Sequence, residues 1–585
     1  MRDYYNNKLS NLKELLNEQK KLNKKVSNIR LLFIVFVIII IVIISNLIIN
    51  TYVGVGAIFV LLFFEKFFKR NDHKIEKTNN LIKIYQNELD KNNIFGNGRE
   101  YINYEHNYAN DLDVFGKNSL FELINRTSTQ EGNKILANSL LESSSNDLII
   151  QRQKAISELS KKKTFKEEFL LSFFIPKNKQ YSSITNYINK FKPYIILNRA
   201  LGFYKFISPV VFLGSLLIGI FYPISFLLAV LFLIFNFLVI TRTRRGIDKI
   251  DQYVSNQEKV FLKYAFLIKL IKNERFESQL LLSNKDILLT DNEIDKQFIK
   301  LARLSKLLDF RHNMMLEFLL NNIFLWDIHI TSKIENWFIA NSKTIKSSLL
   351  SIGHFDFLVS LSILSFNNND WVFPTITDDY FSLKTQNIGH PLIDIEQRVV
   401  NDFSIMNSPN ISIVSGSNMA GKSTFLRTLG INMILAFMGA PVCASSFLVS
   451  NVKILTYMKT QDSLYKNTSS FQAELNRIKK ILDELETTNC FLLIDELLKG
   501  TNSRDKQLGS VAIVKSFINS NTCGIVTTHD LALADLEKEY PKNINNYNFN
   551  VSVFNEELSF DYKLKQGICK NFNASLLLKK IGLRL

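Results

Sequence analysis

Cysteine and proline are both scarce in this chain of 585 residues, which has four of the first and nine of the second. The cysteines lie singly and form no Cys-x-x-Cys pair, which argues against a zinc site or a disulfide framework and agrees with a reducing compartment. Few prolines together with 47 phenylalanines favour helices and apolar surface over loops. The balance of 46% hydrophobic and 21% charged residues excludes a disordered or collagen-like chain.

Acidic residues are outnumbered, since 71 Lys and Arg against 54 Asp and Glu give a net charge of +17. Such an excess suits a polyanion, either nucleic acid or an anionic lipid surface. It can equally be a solvated basic face. The basic residues are spread along the chain without the aromatic-interleaved stripe that marks nucleic-acid binding, and many of them flank apolar segments. The charge alone is therefore weak evidence for DNA.

Charged side chains are absent altogether from two long stretches, residues 31–64 and 206–241. Each stretch exceeds the roughly 20 apolar residues that one membrane-spanning helix needs, and can hold two short spans. The residues that suit the turns between spans are Asn50, Thr51, Tyr52, Gly219, Tyr222 and Pro223.

Lys and Arg flank both stretches on both sides, and the positive-inside rule places such flanks in the cytoplasm. An even number of spans follows, most simply one hairpin in each stretch, in the cell membrane. The alternative is a pair of buried helical hairpins in a soluble core. A cleaved signal peptide is disfavoured because the first apolar run starts late and is too long.

The expected fold is a set of α-helical membrane hairpins and an all-α lever or core region, followed by a C-terminal α/β domain. The pattern changes near residue 376, where short apolar runs bounded by Gly, Ser and Asn alternate with helical stretches. We divide the chain into a basic cytoplasmic N-terminal helix (1–30), a membrane hairpin (31–68), a connecting helix (71–110), a first part of the helical core (111–205), a second hairpin (206–241), a second helical part (242–375) and the α/β domain (376–585).

A strand, a glycine-containing loop and a helix follow one another after residue 410. Residues 411–415 form a short apolar run, and the loop after it reads G-x-x-x-x-G-K-S before an apolar helix. In this context the motif predicts a loop whose backbone N–H groups surround phosphates, with Lys422 at the β- and γ-phosphates and Ser423 on Mg²⁺. The residues assigned to ATP binding are Gly416, Ser417, Asn418, Met419, Ala420, Gly421, Lys422, Ser423 and Thr424.

Acidic residues and a histidine follow two further apolar runs in this domain. Asp495 and Glu496 end the run 491–494, and His529 follows the run 524–528. We expect Asp495 to hold magnesium and Glu496 to deprotonate the attacking water. His529 is placed to contact the γ-phosphate or that water, although a lone histidine can also be structural. Hydrolysis is therefore expected as well as binding.

Several segments resemble those of MutS proteins, and together they cover most of residues 111–585. The segments that carry the resemblance are Ser415–Thr424 with its Asn-Met pair, Leu493–Thr501, Thr468–Glu474, Gly389–Leu392, Phe560–Leu564 with Gly567 and Gly582-Leu583, and Leu123–Thr129 with Gly132. The resemblance implies an ABC-type ATPase that works as a homodimer with ATP and Mg²⁺. It also implies that Ser469 and Ser470 contact the nucleotide bound by the other subunit, and these two serines could serve as a helix N-cap as well.

The N-terminus departs from the mismatch-detecting members of that family. No domain with a Phe-x-Glu element is found, and little length remains for a DNA clamp. Two functions are therefore weighed. The first is a membrane-anchored ATPase that acts on DNA, in mismatch repair or on branched DNA. The second is an ATP-driven conformational machine in the bilayer that does not act on DNA.

Overall fold

The computed structural model divides into two compact units, residues 1–94 with 164–180 and residues 95–163 with 181–585. The residues that it describes are 2–43, 47–90, 94–173, 188, 191–291, 293–406, 410–417, 419–458, 470–486, 488–499, 501–554 and 557–569. The coarser part of the expected fold is confirmed, since the chain is mostly helical with an α/β region at its C-terminal end.

The first unit is built on two long helices, α1 (Arg2–Ile43) and α2 (Leu47–Asp90). They lie side by side, and the hydroxyl of Thr78 donates to the side-chain oxygen of Gln19 over 3.1 Å. Helix α6 (Lys163–Phe173) joins this unit through Glu167, whose carboxylate accepts a 2.5 Å hydrogen bond from the hydroxyl of Tyr85.

Two expectations for the first 110 residues are wrong. Residues Asn50–Tyr52 lie inside α2 rather than in a turn, because uncharged residues continue the helix on both sides of them. The helix expected over 71–110 ends at Asp90, and the only helical turn among the described residues 94–110 is a 3-10 turn, Arg99–Tyr101. Gly96 and Gly98 adopt positive φ angles of 100° and 69°, which cannot continue an α-helix.

The second unit begins with a helical region. Its helices are α3 (Leu120–Ile124), α4 (Gln130–Leu141), α5 (Asn146–Lys161), α7 (Arg199–Gly219), α8 (Ser225–Val254), α9 (Glu258–Asn273), α10 (Gln279–Leu289), α11 (Ile294–Leu308), α12 (Met314–Phe324) and α13 (Trp326–Asn367). Polar side chains cap the N-termini of several of these helices. At the start of α4 the side chain of Thr129 accepts a hydrogen bond from the backbone N–H of Gly132, and at the start of α12 that of Asn313 accepts one from the N–H of Leu316.

Three helices in the described part of the chain are long and apolar enough to cross a membrane, namely α7, α8 and α13. Only 17% of the apolar part of α7 and of α8 is buried, against 78% for α13. Helix α13 is therefore an interior helix, whereas α7 and α8 form a hairpin that exposes its apolar side chains. Within the first apolar stretch, the side chains of residues 41, 44–55, 57–59 and 62 lie outside the described part of the structure.

Helix α13 is 42 residues long, so it extends about 63 Å. Near its start, the buried carboxylate of Glu335 accepts hydrogen bonds of 2.7, 3.0 and 2.9 Å from the backbone N–H groups of residues 194, 195 and 196. Near its end, the buried carboxylate of Asp356 accepts from the backbone N–H groups of Ser128 and Thr129. One helix thus contacts both the segment that leads into α7 and the helical core.

Replacing Glu335 with alanine is expected to destabilise this attachment by about 3 kcal/mol, because three buried N–H groups lose their acceptor. Hydrogen exchange at residues 194–196 is expected to accelerate far more than exchange in the C-terminal α/β region. Glu293→Ala removes an exposed carboxylate and serves as the control. Unchanged protection at 194–196 would contradict this role.

The α/β region contains two sheets. A six-stranded sheet has the order β10 (Glu557–Gln566), β9 (Ile544–Phe554), β4 (Ile411–Gly416), β8 (Cys523–Thr528), β7 (Cys490–Asp495), β6 (Lys453–Tyr457). A four-stranded sheet has the order β1 (Thr375–Thr377), β5 (Ser446–Ser450), β2 (Ser382–Ile388), β3 (Asn401–Met406). The helices of this region are α14 (Lys422–Phe437), α15 (Ser470–Leu485), α16 (Ser503–Asn519) and α17 (Leu531–Glu539).

Strands β9, β4, β8, β7 and β6 run parallel, and only β10 is antiparallel. Strands β4, β7 and β8 are buried on both faces, which explains their continuous runs of apolar residues. Their carboxyl ends meet at one edge, where ligands bind in sheets of this kind. The three predicted site segments follow these three strands.

Candidate functional site

The loop between β4 and α14 turns at Gly421, whose φ of 103° is a conformation that glycine adopts most readily. Lys422 is the first residue of α14, so the free N–H groups of that helix end face the loop. The loop therefore has the backbone required to bind phosphate. Of the predicted loop residues, Gly416 ends β4, Ser417, Met419, Ala420 and Gly421 lie in the loop, and Lys422, Ser423 and Thr424 begin α14. Asn418 lies outside the described residues.

Lys422 is buried and folds back onto this loop. Its ammonium group donates to the carbonyl oxygens of Gly416 and Ser417 over 2.7 and 2.8 Å. Burial lowers the pKa of Lys422 to about 8, against the opposing effect of Asp495 and Glu496. A buried cation whose shortest hydrogen bonds go to uncharged carbonyl oxygens is stabilised by an anion, and a polyphosphate supplies one.

Asp495 lies at the end of β7, opposite Ser423. Its Oδ2 accepts a 2.8 Å hydrogen bond from the hydroxyl of Ser423, and its Oδ1 accepts a 2.7 Å bond from Thr527. A hydroxyl and a carboxylate are the hard oxygen ligands that suit Mg²⁺ when phosphates and water complete the shell. Within the described residues, no group of three or more His, Cys, Asp or Glu side chains could hold a metal by itself. The residues present therefore fit a magnesium ion that arrives with a nucleotide.

Glu496 stands next to Asp495 in a left-handed backbone conformation with φ 56°. Its Oε1 accepts a 2.5 Å hydrogen bond from Lys506. Burial raises the pKa of Glu496, but the hydrogen bond and charge of Lys506 outweigh it, so the pKa lies below its usual value. The carboxylate is ionised at neutral pH, as a general base must be.

His529 follows β8 and faces the same space. Its Nε2 lies 3.5 Å from the ammonium nitrogen of Lys422 and 4.0 Å from Oε2 of Glu496. Burial and the charge of Lys422 lower the pKa of His529, so its ring is neutral at pH 7. A neutral imidazole ring donates one hydrogen bond and accepts another, so it can bind a phosphate oxygen or a water molecule in this space.

These side chains line one cavity of about 470 Å³. Its wall also includes residues that sequence reasoning did not identify as site residues, namely Ile388, His390, Ile393, Gln397, Val399, Asn401, Phe425, Thr428, Lys499, Phe549 and Tyr562. Two further residues act on the site through its acids and were also missed. Thr527 binds Asp495, and its place in the Thr-Thr-His-Asp end of β8 was a usable signal. Lys506 binds Glu496 from α16, and no sequence signal identified it.

Tyr562 covers the phosphate loop from strand β10. A Cβ added to Gly421 would lie 3.1 Å from its ring, and its own φ is 52°. The strand pairing shifts register between Phe560 and Leu564, so Tyr562 sits in an irregularity that turns it toward the loop. Asn401 fixes this geometry by donating to the carbonyl oxygen of Tyr562.

The structure describes only the backbone of one of the two predicted signature serines. Ser469 lies outside the described residues, and Ser470 is the first residue of α15, with its side chain not described. Helix α15 is held by Arg477, which forms an ion pair with the fully buried Asp111 and donates to the carbonyl oxygen of Thr456. A cavity of about 480 Å³ lies beside this helix but contains none of the predicted phosphate-binding residues.

A family model described as MutS domain V matches residues 412–576. The "DNA mismatch repair protein MutS" of Aquifex pyrophilus is 31% identical over 238 residues, which are 40% of this chain and 27% of that protein. "MutS protein homolog 4" of Mus musculus is 31% identical over 219 residues, 36% of this chain and 22% of that protein. "Endonuclease MutS2" of Streptococcus equi subsp. equi is 29% identical over 248 residues, which are 42% of this chain and 30% of that protein. The chain thus spans less than a third of the length of each of these relatives.

Proposed function

Because this chain belongs to the MutS family, we propose that it is a Mg²⁺-dependent ATPase whose site is the cavity at the carboxyl edge of the six-stranded sheet. The observation that carries the proposal is the meeting of Lys422, Asp495, Glu496 and His529 in that one cavity. A phosphate-binding cation, a magnesium ligand and a base are what hydrolysis of a nucleoside triphosphate requires.

Each residue has a separate task in this proposal. Lys422 binds the β- and γ-phosphates, while Ser423 and Asp495 hold Mg²⁺, which neutralises phosphate charge when bound. Glu496 accepts a proton from water as the water oxygen bonds to the γ-phosphorus and the bond to the bridging oxygen breaks. The products are ADP and phosphate, and neutral His529 positions the water or a γ-phosphate oxygen.

The proposed assembly is a homodimer of ATPase domains. Ser469 and Ser470 would then reach the nucleotide of the other subunit, as the resemblance to MutS proteins implies. Within one subunit, the ion pair of Arg477 with Asp111 ties the middle of α15 to the segment that precedes α3. A change in nucleotide state at one site could thus reach the helical region of the other subunit.

Lys506→Gln is expected to move the acid limb of the pH–kcat profile to higher pH. Removal of the hydrogen bond and positive charge raises the pKa of Glu496, so a higher pH is needed to ionise the base. The measurement is the initial rate of phosphate release across pH 5 to 9. Lys515→Gln, which removes a surface partner of Glu539, should leave the profile unchanged. A profile that does not move in Lys506→Gln would show that Glu496 does not set the acid limb.

The proposed location is the cell membrane, with several spans and the ATPase domain in the cytoplasm. Helices α7 and α8 support it, because their apolar side chains are exposed over lengths sufficient for a bilayer. Basic residues stand at both ends of the uncharged stretch of this hairpin, Lys205 before it and Arg242 after it. The bilayer is therefore one partner of the chain.

The proposed macromolecular substrate is DNA, in mismatch repair or in the processing of branched DNA. Its support is that relatives carry names such as DNA mismatch repair protein MutS and Endonuclease MutS2. The test is binding of the detergent-purified protein to homoduplex, mismatched, branched and single-stranded DNA, with and without ATP, over a salt series. Structure-selective binding that ATP alters is expected, and no binding even at low salt, where phosphate contacts are strongest, would contradict this role.

A second candidate function is an ATP-driven machine that moves the hairpin in the bilayer without DNA. The favouring observation is α13, which contacts the hairpin near residue 329 and leads into the α/β region at residue 375. Spin labels at Leu227→Cys of two copies in nanodiscs should change separation between the ATP and ADP states. An unchanged separation would contradict this function and leave the DNA proposal standing.

A further inference from the structure

Helix α12 exposes an apolar surface that the ATPase proposal does not use. Its eleven residues include only one charged side chain, Glu317. Met314 is 87% exposed, Met315 73% and Phe318 64%. Leu316, Leu319 and Phe324 are exposed as well. Large apolar side chains exposed side by side mark a surface that contacts a membrane or another protein.

The other face of α12 is fixed to the hairpin. The carbonyl oxygen of Asn322 accepts a 2.6 Å hydrogen bond from the side-chain amide of Asn236 on α8. The side-chain oxygen of Asn236 accepts in turn from Ser208 and Tyr204 on α7, each over 2.6 Å. Asn236 and Ser208 are fully buried. The end of α12 is therefore held at the base of the hairpin, near the first residues of its uncharged stretch.

The start of α12 is fixed further down α8. Arg311, in the 3-10 turn before α12, forms ion pairs of 2.8 Å with Asp248, 3.1 Å with Asp251 and 3.2 Å with Asp327. Helix α12 thus runs beside α8 between the level of Asp251 and the level of Asn236. Its apolar face cannot turn inward without breaking one of these two attachments.

Basic side chains occupy the same section of α8. Arg242, Arg244, Arg245 and Lys249 are exposed there, between the two attachment points of α12. Exposed arginines and lysines at the end of an apolar hairpin lie where lipid headgroups lie. The apolar face of α12 therefore stands at the height at which bilayer hydrocarbon gives way to headgroups.

We propose that α12 is an interfacial helix that lies in the plane of the cytoplasmic leaflet, with Met314, Met315 and Phe318 among the acyl chains and the arginines of α8 at anionic headgroups. This inference rests on the membrane attachment proposed above. Eleven residues extend about 16 Å, too short to cross a bilayer but sufficient to lie within its surface. The patch is continuous with the exposed apolar hairpin, which makes lipid the occupant that covers both.

The test is the accessibility of nitroxide labels in the full chain reconstituted in lipid nanodiscs containing phosphatidylglycerol. The four native cysteines are buried, so introduced cysteines are the sites that react. Met315→Cys reports on α12, Leu227→Cys on the hairpin, and Leu350→Cys on an exposed position far along α13. Collision with oxygen marks lipid, and collision with a water-soluble nickel chelate marks solvent.

We expect oxygen to dominate at Leu227 and Met315, with Met315 shallower, and the nickel chelate to dominate at Leu350. An aqueous Met315 beside a lipid-exposed Leu227 would overturn the interfacial helix and leave the membrane attachment intact. An aqueous Leu227 would instead overturn the attachment itself. A Met315 label shielded from both reagents would show that protein covers the patch, and would also overturn the inference.

Anionic lipid gives a second readout. Replacing Arg242, Arg244 and Arg245 together with glutamine should reduce the oxygen-to-nickel ratio at Met315 at least twofold in anionic nanodiscs. In purely zwitterionic nanodiscs the same replacement should change that ratio little. Equal effects in the two lipids would refute the headgroup contact.

Discussion

Lys422→Ala is expected to weaken ATP binding by about 100-fold or more. Lys422 is the buried cation of the loop, and loss of its charge-assisted bonds to two phosphates costs roughly 3 kcal/mol or more. Binding is measured by calorimetry with Mg²⁺ and a slowly hydrolysed ATP analogue. The neutral side chain also leaves the loop carbonyls without their present donor, so the fold of the variant is checked by its thermal unfolding.

The matched control is Lys499→Ala, because Lys499 lines the same cavity but lies 3.8 Å from Asp495 and belongs to no phosphate loop. We expect it to change the dissociation constant by less than about fivefold, since it is an exposed partner in a screened pair. Full ATP binding by folded Lys422→Ala protein would place the nucleotide elsewhere. An equal loss in both variants would show only that positive charge near the cavity matters.

Glu496→Gln is expected to lower kcat by about a thousandfold while ATP binding stays within about threefold of the wild-type value. The amide keeps the shape of the side chain but cannot accept the proton of the attacking water, and a positioned base contributes about 10² to 10⁴ in rate. Because ATP would be bound and not consumed, the proposed dimer with nucleotide at both sites should accumulate. Single-turnover phosphate release measures the first effect, and light scattering after size exclusion measures the second.

Glu484→Gln is the control, since Glu484 also pairs with a lysine but lies away from the nucleotide cavity. Its turnover should match the wild type. Rapid hydrolysis by the Glu496→Gln protein would mean that another residue is the base. His529 would be examined next, because its Nε2 is 4.0 Å from the same carboxylate.

Much of the candidate site could be predicted because its parts follow strands in a fixed order. Buried parallel strands are recognisable as short apolar runs, and their ends must meet at one edge of the sheet. The positions of Lys422, Asp495 and His529 therefore followed from three segments far apart in sequence. Thr527 and Lys506 were missed because they act on acids of the site, and only the folded chain shows which acid each one contacts.

The helical part was harder for a physical reason. Hydrophobic periodicity identifies a helix but not where a long helix breaks, so Asn50–Tyr52 were assigned to a turn although they lie within α2. Helix α12 was missed as a separate feature because an apolar run of eleven residues suits a buried core helix as well as an interfacial one. Its exposure depends on Asn236 and Arg311, whose partners are distant in sequence.

The measurement that tests the central claim most directly is phosphate release from ATP by the full chain in lipid nanodiscs. The account predicts turnover that requires Mg²⁺, is lost on adding a chelator, and falls about a thousandfold in Glu496→Gln protein. No hydrolysis by folded wild-type protein under any nucleotide or lipid condition would contradict it. Equal hydrolysis by the wild-type and Glu496→Gln proteins would contradict the assignment of the site.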